Sequence, residues 1–185
     1  MRFTELPVHG AFVIEPERHE DERGFFARVF DQDEFEARGL HPHINQSSIS
    51  YNRRRGTVRG MHFQVAPAEE TKIVRCTGGA VHDVIVDVRP DSPTYLQQAV
   101  VELSAANRTS LYIPRTVAHG FQTLADDTEV EYQIGQPFSP EHARGLRYDD
   151  PALDVQWPLP VTVISDKDRA WPSLADQESA DSYQP

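Results

Sequence analysis

Arg59 and His62 stand three positions apart in the stretch Val58-Arg59-Gly60-Met61-His62-Phe63-Gln64. Histidine is the side chain that exchanges protons near neutral pH, and arginines gathered in one pocket present a fork of donors to a phosphate. The segment otherwise reads as extended, and on a regular strand positions three apart face opposite sides. Gly60 between them permits a bulge or bend that brings both to one cavity. Other chemically capable residues stand at strands and strand ends. Arg23 lies in a tight Asp-Glu-Arg-Gly turn, and Lys72 heads an apolar strand. His119 closes Ile113-Pro114-Arg115-Thr116-Val117-Ala118-His119, and Tyr132 interrupts an acidic strand.

Each of these has an ordinary structural use as well. Lys72 would serve as a charged guard on an edge strand, Tyr132 as a rim aromatic with a wet hydroxyl, and Arg23 as half of a surface ion pair. Cys76 is the only cysteine, so the chain has no internal disulfide and a reducing compartment is expected. Its setting in Ile73-Val74-Arg75-Cys76 reads as a small buried hydrophobe rather than a nucleophile.

The composition bounds what these residues serve. At 185 residues the chain fits one domain, 1–185, with a sizeable core. Its 25% charged and 38% hydrophobic residues suit a folded, soluble protein. A net charge of −11 argues against a general nucleic-acid binder. No signal peptide opens the chain and no apolar run approaches the roughly 18–20 residues of a membrane span, so a cytoplasmic protein without a membrane partner is expected.

The elements that must position the site are mostly strands. Ala11–Ile14 is a short apolar strand ended by Pro16, His19–Gly24 a charged turn, and Phe25–Phe30 a second strand. Asp31 is placed to cap a helix over Asp33–Arg38 that Gly39 stops. From residue 44 onward, short β-branched and aromatic runs alternate with Gly, Pro, Asn and Asp. Thr71–Cys76 and Val81–Val88 read as a hairpin across Thr77-Gly78-Gly79-Ala80, and Val81–Val88 is more apolar than a half-wet strand requires. Gln98–Leu103, Thr109–Ile113, Gly120–Leu124 and Glu129–Ile134 complete about ten strands, an all-β antiparallel sandwich or barrel. After Pro137 the strands give out, Ser165–Ala170 forms a capped helical turn, and a polar tail from about Asp176 frays.

Among small β-barrels of the cupin type, a metal is often held between histidines of neighbouring strands. His62 and His119 would supply two ligands, and Pro114 followed by His119 is similar to the second cupin motif. The first motif wants a second histidine where this chain has Gln64, which leaves His82 as the third ligand.

The whole pattern resembles the nucleotide-sugar epimerases of the dTDP-4-dehydrorhamnose 3,5-epimerase family. The carriers are Asp21-Glu22-Arg23-Gly24-Phe25-Phe26, Val58 to Gln64, Lys72 to Cys76, Ile113-Pro114 through Ala118-His119-Gly120-Phe121, Tyr132, and Ser165-Asp166-Lys167-Asp168. The resemblance spans about residue 5 to residue 172. It implies a cupin-type jelly roll, usually a homodimer, working on a nucleoside-diphosphate 4-keto-6-deoxyhexose with no metal or other cofactor. Protons on the carbons beside such a ketone are acidic because the carbanion delocalises as an enolate.

By the same resemblance His62 is the base, Asp168 orients its ring, Tyr132 returns a proton from the opposite face, and Lys72 stabilises the enolate oxygen. Arg23 and Arg59 would hold the diphosphate. Phe26, Gln46, Ser48, His119, Phe138 and Lys167 would complete the substrate site. The chain departs from the family at Arg28, where a glutamate is common. It departs again at Gln46-Ser47-Ser48, where Gln-x-Asn is common, and at Phe138, where a base-stacking tyrosine stands. These positions hold the nucleotide rather than move protons. Rival readings are inversion of a single carbon, or a different nucleotide. A metal-dependent cupin enzyme and a non-catalytic sugar-nucleotide binder stand further off.

Overall fold

The computed structural model describes residues 1–181, and its regular elements are mostly strands. In chain order they are β1 (Arg2–Glu5), β2 (Phe12–Glu15), β3 (Arg18–Asp21) and β4 (Gly24–Ala27), then helix α1 (Gln32–Glu36). Next come β5 (Gln46–Asn52), β6 (Val58–Gln64), β7 (Lys72–Gly78), β8 (Ala80–Asp87) and β9 (Gln98–Ser104). The series closes with β10 (Ser110–Ile113), β11 (Val117–Thr123), β12 (Thr128–Ile134), β13 (Ala143–Gly145), and helices α2 (Asp166–Arg169) and α3 (Leu174–Asp181).

Two antiparallel sheets form a sandwich of the jelly-roll kind, one ordered β1-β2-β10-β7-β12-β5 and the other β13-β6-β11-β8-β9. Between them lies a core that includes Val74, Cys76, Val81, Ile85, Leu111, Phe121 and Val130. The outer face of the first sheet is covered by α1, whose Phe35 packs with Ile14, Ile73 and Tyr112. The outer face of the second is covered by the C-terminal segment, where Leu146, Leu153 and Leu174 meet Met61, Val84, Val86 and Ala118. No helix among the described residues is long and apolar enough to cross a membrane.

The Gly-Gly turn does not make a hairpin. β7 runs between β10 and β12, whereas β8 runs between β11 and β9 in the other sheet. Gly79, at φ +72°, carries the chain from one sheet to the other, and a Cβ there would fall 2.5 Å from the Thr128 hydroxyl oxygen. Burial explains why. Val81 and Ile85 face the inner core while Val84 and Val86 face the outer cluster. A strand apolar on both faces belongs where both are covered.

Other boundaries shift for related reasons. Part of the charged segment expected as a turn is the strand β3, exposed along its length and paired with β4 in a two-stranded sheet of its own. A strand wet on both sides shows no period-two pattern. β4 stops at Ala27, short of Phe30. Asp31 caps α1 by accepting from Glu34 N, as its type predicts, but the helix ends at Glu36. Strands do not give out after Pro137, since β13 pairs with the end of β6. The expected fraying from Asp176 is corrected as far as Asp181, where α3 ends; residues 182–185 of that tail lie outside the described residues.

Candidate active site

A cavity of about 380 Å³ opens between the two sheets at one end of the sandwich. β6 supplies Arg59 and His62 to it. The pairing of β11 with β6 slips by one residue, from His119 opposite His62 to Phe121 opposite Arg59. This irregularity brings two side chains of opposite strand parity into one cavity. Gly60 makes it sterically feasible: its φ is +112°, and a Cβ there would lie 2.5 Å from Gly120 Cα.

His62 Nε2 lies 2.6 Å from Asp168 Oδ1. Asp168 sits in α2, which Ser165 caps by accepting from Asp168 N at 3.0 Å. Burial pushes the Asp168 carboxyl up, but the hydrogen bond from His62, the imidazolium charge whenever that ring is protonated, and help from Ser165 and the Gly60 backbone hold it below its ordinary value. With Nε2 given to the carboxylate, Nδ1 is the nitrogen that can take a proton.

Beside this pair is a second and deeper one. His119 Nε2 donates to both oxygens of Asp83, at 2.9 and 3.0 Å, and both side chains are buried. Tyr132, on β12 of the facing sheet, has its ring 6.1 Å from that of His119 in an edge arrangement. Burial and the charge of Asp83 drive its phenol upward, with Arg59 opposing, so the hydroxyl stays protonated. Lys72 sits at the head of a strand interior to its sheet, not at an edge. Its ammonium pairs with Glu70 at 2.8 Å and donates to the His62 carbonyl at 3.3 Å.

Around the mouth of the cavity, cationic and polar side chains stand beside the exposed Ile49 and Phe138. Arg59 Nε donates to Asn52 Oδ1 at 2.7 Å and the side chain is otherwise exposed. Gln46 and Ser48 line the cavity from β5. Lys167 sets its ammonium 5.9 Å from the Phe138 ring and 5.5 Å from the Trp171 ring. Gln64 holds this mouth in shape: its amide donates to the Ala68 and Pro137 carbonyls and accepts from Ser139 N. The residue that stands where a metal-binding histidine would be is a loop clamp.

The cavity thus gathers His62, Lys72, Tyr132 and Asp168, and with them Gln46, Ser48, Arg59, His119, Phe138 and Lys167. Arg23 and Phe26 are not brought in. They lie on the β3–β4 hairpin, Arg23 bound to Asp21 with its side chain 89% exposed and Phe26 72% exposed. Arg28 is outside as well, paired with Asp31. The three-histidine metal set is not assembled, because His82 follows the opposite face of β8 from Asp83 and packs against Trp157. Among the described residues no group of three or more His, Cys, Asp or Glu side chains is arranged to hold a metal ion.

Sequence reasoning missed Asp83, Glu70 and Trp171. For Asp83 there was a signal, since a carboxylate inside the apolar run Val81–Val88 requires a buried partner. Glu70 and Trp171 lie in irregular segments whose contacts leave no local pattern.

The chain's likeness to known proteins agrees with this arrangement. A protein of Sinorhizobium fredii named dTDP-4-dehydrorhamnose 3,5-epimerase is 43% identical over 177 residues, 95% of this chain and 91% of the relative. The Bacillus anthracis enzyme of that name, solved with TDP and PPi bound, superposes with a TM-score of 0.90 at 38% identity, covering 94% of this chain and 99% of that one. The Legionella pneumophila dTDP-6-deoxy-D-glucose-3,5-epimerase, solved in complex with dTDP-4-keto-L-rhamnose, gives 0.87 at 34% identity, covering 96% and 95%. Residues 5–176, a span that holds every residue of the cavity, match the dTDP-4-dehydrorhamnose 3,5-epimerase family, and the chain belongs to it.

Proposed function

We propose that the protein is an isomerase that converts dTDP-4-dehydro-6-deoxy-D-glucose to dTDP-4-dehydro-L-rhamnose by inverting both carbons beside the ketone. The observation that carries this reading is the pairing of His62 with Asp168 in the same cavity that the Tyr132 phenol lines from the facing sheet. His62 Nδ1 removes the proton from one carbon, and the C–H electrons pass into the enolate, with charge on the former ketone oxygen near Lys72. Asp168 holds the imidazolium that forms. Tyr132 then gives its proton to the carbon from the opposite face and the ketone re-forms. Solvent takes the proton from His62 and returns one to Tyr132. Each such acid or base role is worth roughly 10²–10⁴-fold. The carbon skeleton undergoes no net oxidation, so the chemistry calls for no redox cofactor.

Arg59 would meet the diphosphate, Gln46 and Ser48 the sugar-nucleotide along β5, and Phe138 and Lys167 the base end. Arg23 and Phe26 fit the same role if a second copy supplies them. Their hairpin projects exposed aromatic and charged side chains, and the edge strand β5 exposes Ile49 and Tyr51. A homodimer in which each hairpin completes the other copy's cavity accounts for both. The lone buried thiol of Cys76, pushed up to about 11 by burial, suits a cytoplasmic enzyme.

Proton–deuterium exchange followed by NMR in deuterated water tests the reading. Deuterium at both carbons flanking the ketone of dTDP-4-dehydro-6-deoxy-D-glucose is the expected result, and His62→Ala should abolish it. Deuterium at one carbon would make the protein a single-carbon epimerase, and none would overturn this substrate. Light scattering checks the dimer, and Arg23→Ala should raise KM without changing the oligomeric mass.

A further inference from the structure

Trp171 follows α2 and lines the cavity beside His62, their ring centroids 6.3 Å apart and the planes 65° from parallel. Its seat is made by a missing side chain. Gly145 on β13 is the direct cross-strand partner of His62 on β6. In an antiparallel pair the side chain at that position would stand next to the histidine. Glycine supplies none, and the indole occupies the space. A Cβ on Gly145 would fall 2.3 Å from Trp171 Cε2 and 2.5 Å from Nε1. The indole N–H is buried and has no hydrogen-bond partner among the described residues. Lying against β13, it is not a donor offered to substrate.

From this geometry we infer that Trp171 is a positioning residue for the His62 ring. The indole, seated on Gly145, walls one side of the imidazole and keeps Nε2 on Asp168 and Nδ1 toward the substrate carbon. Asp168 fixes the ring at one atom only, and a single hydrogen bond leaves rotation about the histidine's side-chain bonds open. A rigid aromatic set edge-wise beside it narrows that freedom. The orphaned N–H indicates that the site uses the indole for its shape, so phenylalanine should substitute and a flexible aliphatic should not. This inference rests on the reading of His62 as the base.

The test compares Trp171→Phe, Trp171→Leu and Gly145→Ala with wild type, following deuterium exchange into dTDP-4-dehydro-6-deoxy-D-glucose and confirming folding by thermal melts. Trp171→Leu should lower kcat by about 10²-fold with KM little changed, as misplacement of a reacting group does. Trp171→Phe should retain most of the rate. Gly145→Ala should lower kcat because its methyl expels the indole, and in a Trp171→Leu background it should add almost nothing, the two acting through one contact. Should Trp171→Leu melt below the assay temperature, the contrast between Trp171→Phe and Gly145→Ala decides. Unchanged kcat in Trp171→Leu, a loss confined to KM, or additive losses would overturn the inference. A wild type without exchange, or an active His62→Ala, would instead overturn the functional reading beneath it.

Discussion

His62 and His119 are direct cross-strand partners on β6 and β11, yet each is bonded to a different carboxylate. The His62–Asp168 pair keeps its imidazole 42% exposed to the cavity, whereas the His119–Asp83 pair is 5% and 0% exposed. Exposure separates their duties: a base must reach substrate, and a buried pair mainly holds shape. Asp168→Asn should therefore fold as wild type and lose about 10²–10⁴-fold in kcat, since the amide no longer stabilises an imidazolium. Asp83→Ala leaves the buried His119 N–H without its acceptor and should lose roughly 1–3 kcal/mol of stability. Urea denaturation alongside the exchange assay measures both. Equal stability losses in the two variants would contradict the division.

Tyr132→Phe separates proton removal from proton return. His62 remains, so it can take a proton and give back a deuteron on the same face. The variant should incorporate deuterium into unchanged substrate while inverted product falls by about 10²–10⁴-fold. Product formed at the wild-type rate would remove Tyr132 from the acid role.

Lys72 and Glu70 form a nearly buried ion pair at 2.8 Å, with side chains 9% and 10% exposed. Removing one member leaves an uncompensated buried charge, so Lys72→Met should cost about 3–5 kcal/mol as well as turnover. Pairing it with Glu70→Leu should recover much of the stability but none of the turnover, because the enolate oxygen still lacks its cation. Thermal melts and kcat read on the three proteins distinguish these effects. Recovery of turnover in the double variant would make Lys72 a scaffold residue only.

The legible parts of the sequence were those whose signal is local. Asp31 announces α1, Ser165 announces α2, and Gly60 between Arg59 and His62 foretells the irregularity that puts both in one cavity. The order of motifs along the chain gave most of the cavity's lining. What stayed hidden depends on pairing at a distance. The Gly78-Gly79 link looks like a hairpin turn until both faces of β8 are seen to be covered. Trp171 joins the site only because β13 places a glycine opposite His62. Arg23 and Phe26 read as site residues from sequence, and within one chain the β3–β4 hairpin holds them outside it.

Asp87 offers a pH-dependent check on the fold itself. Fully buried at the end of β8, it accepts from Arg89 N, Nε and Nη2 and from the Ser92 and Thr94 hydroxyls. Burial pushes its carboxyl up, but Arg89, Ser92 and Thr94 together prevail and bring it down to about 2. In the unfolded chain the same group titrates at about 3.9. Between those values the unfolded state binds a proton that the folded state does not, so this contribution rises with pH through the window. It is fully present above about pH 4 and lost as pH falls toward 2. The shift corresponds to about 2–3 kcal/mol. Asp87→Asn should therefore be less stable than wild type by about that amount at pH 7, and the gap should narrow steadily below pH 4. Urea titrations of both proteins across that range supply the comparison, in which the other carboxylates cancel. A gap of the same size at pH 7 and near pH 2 would mean that the aspartate stabilises the 89–94 loop by shape alone.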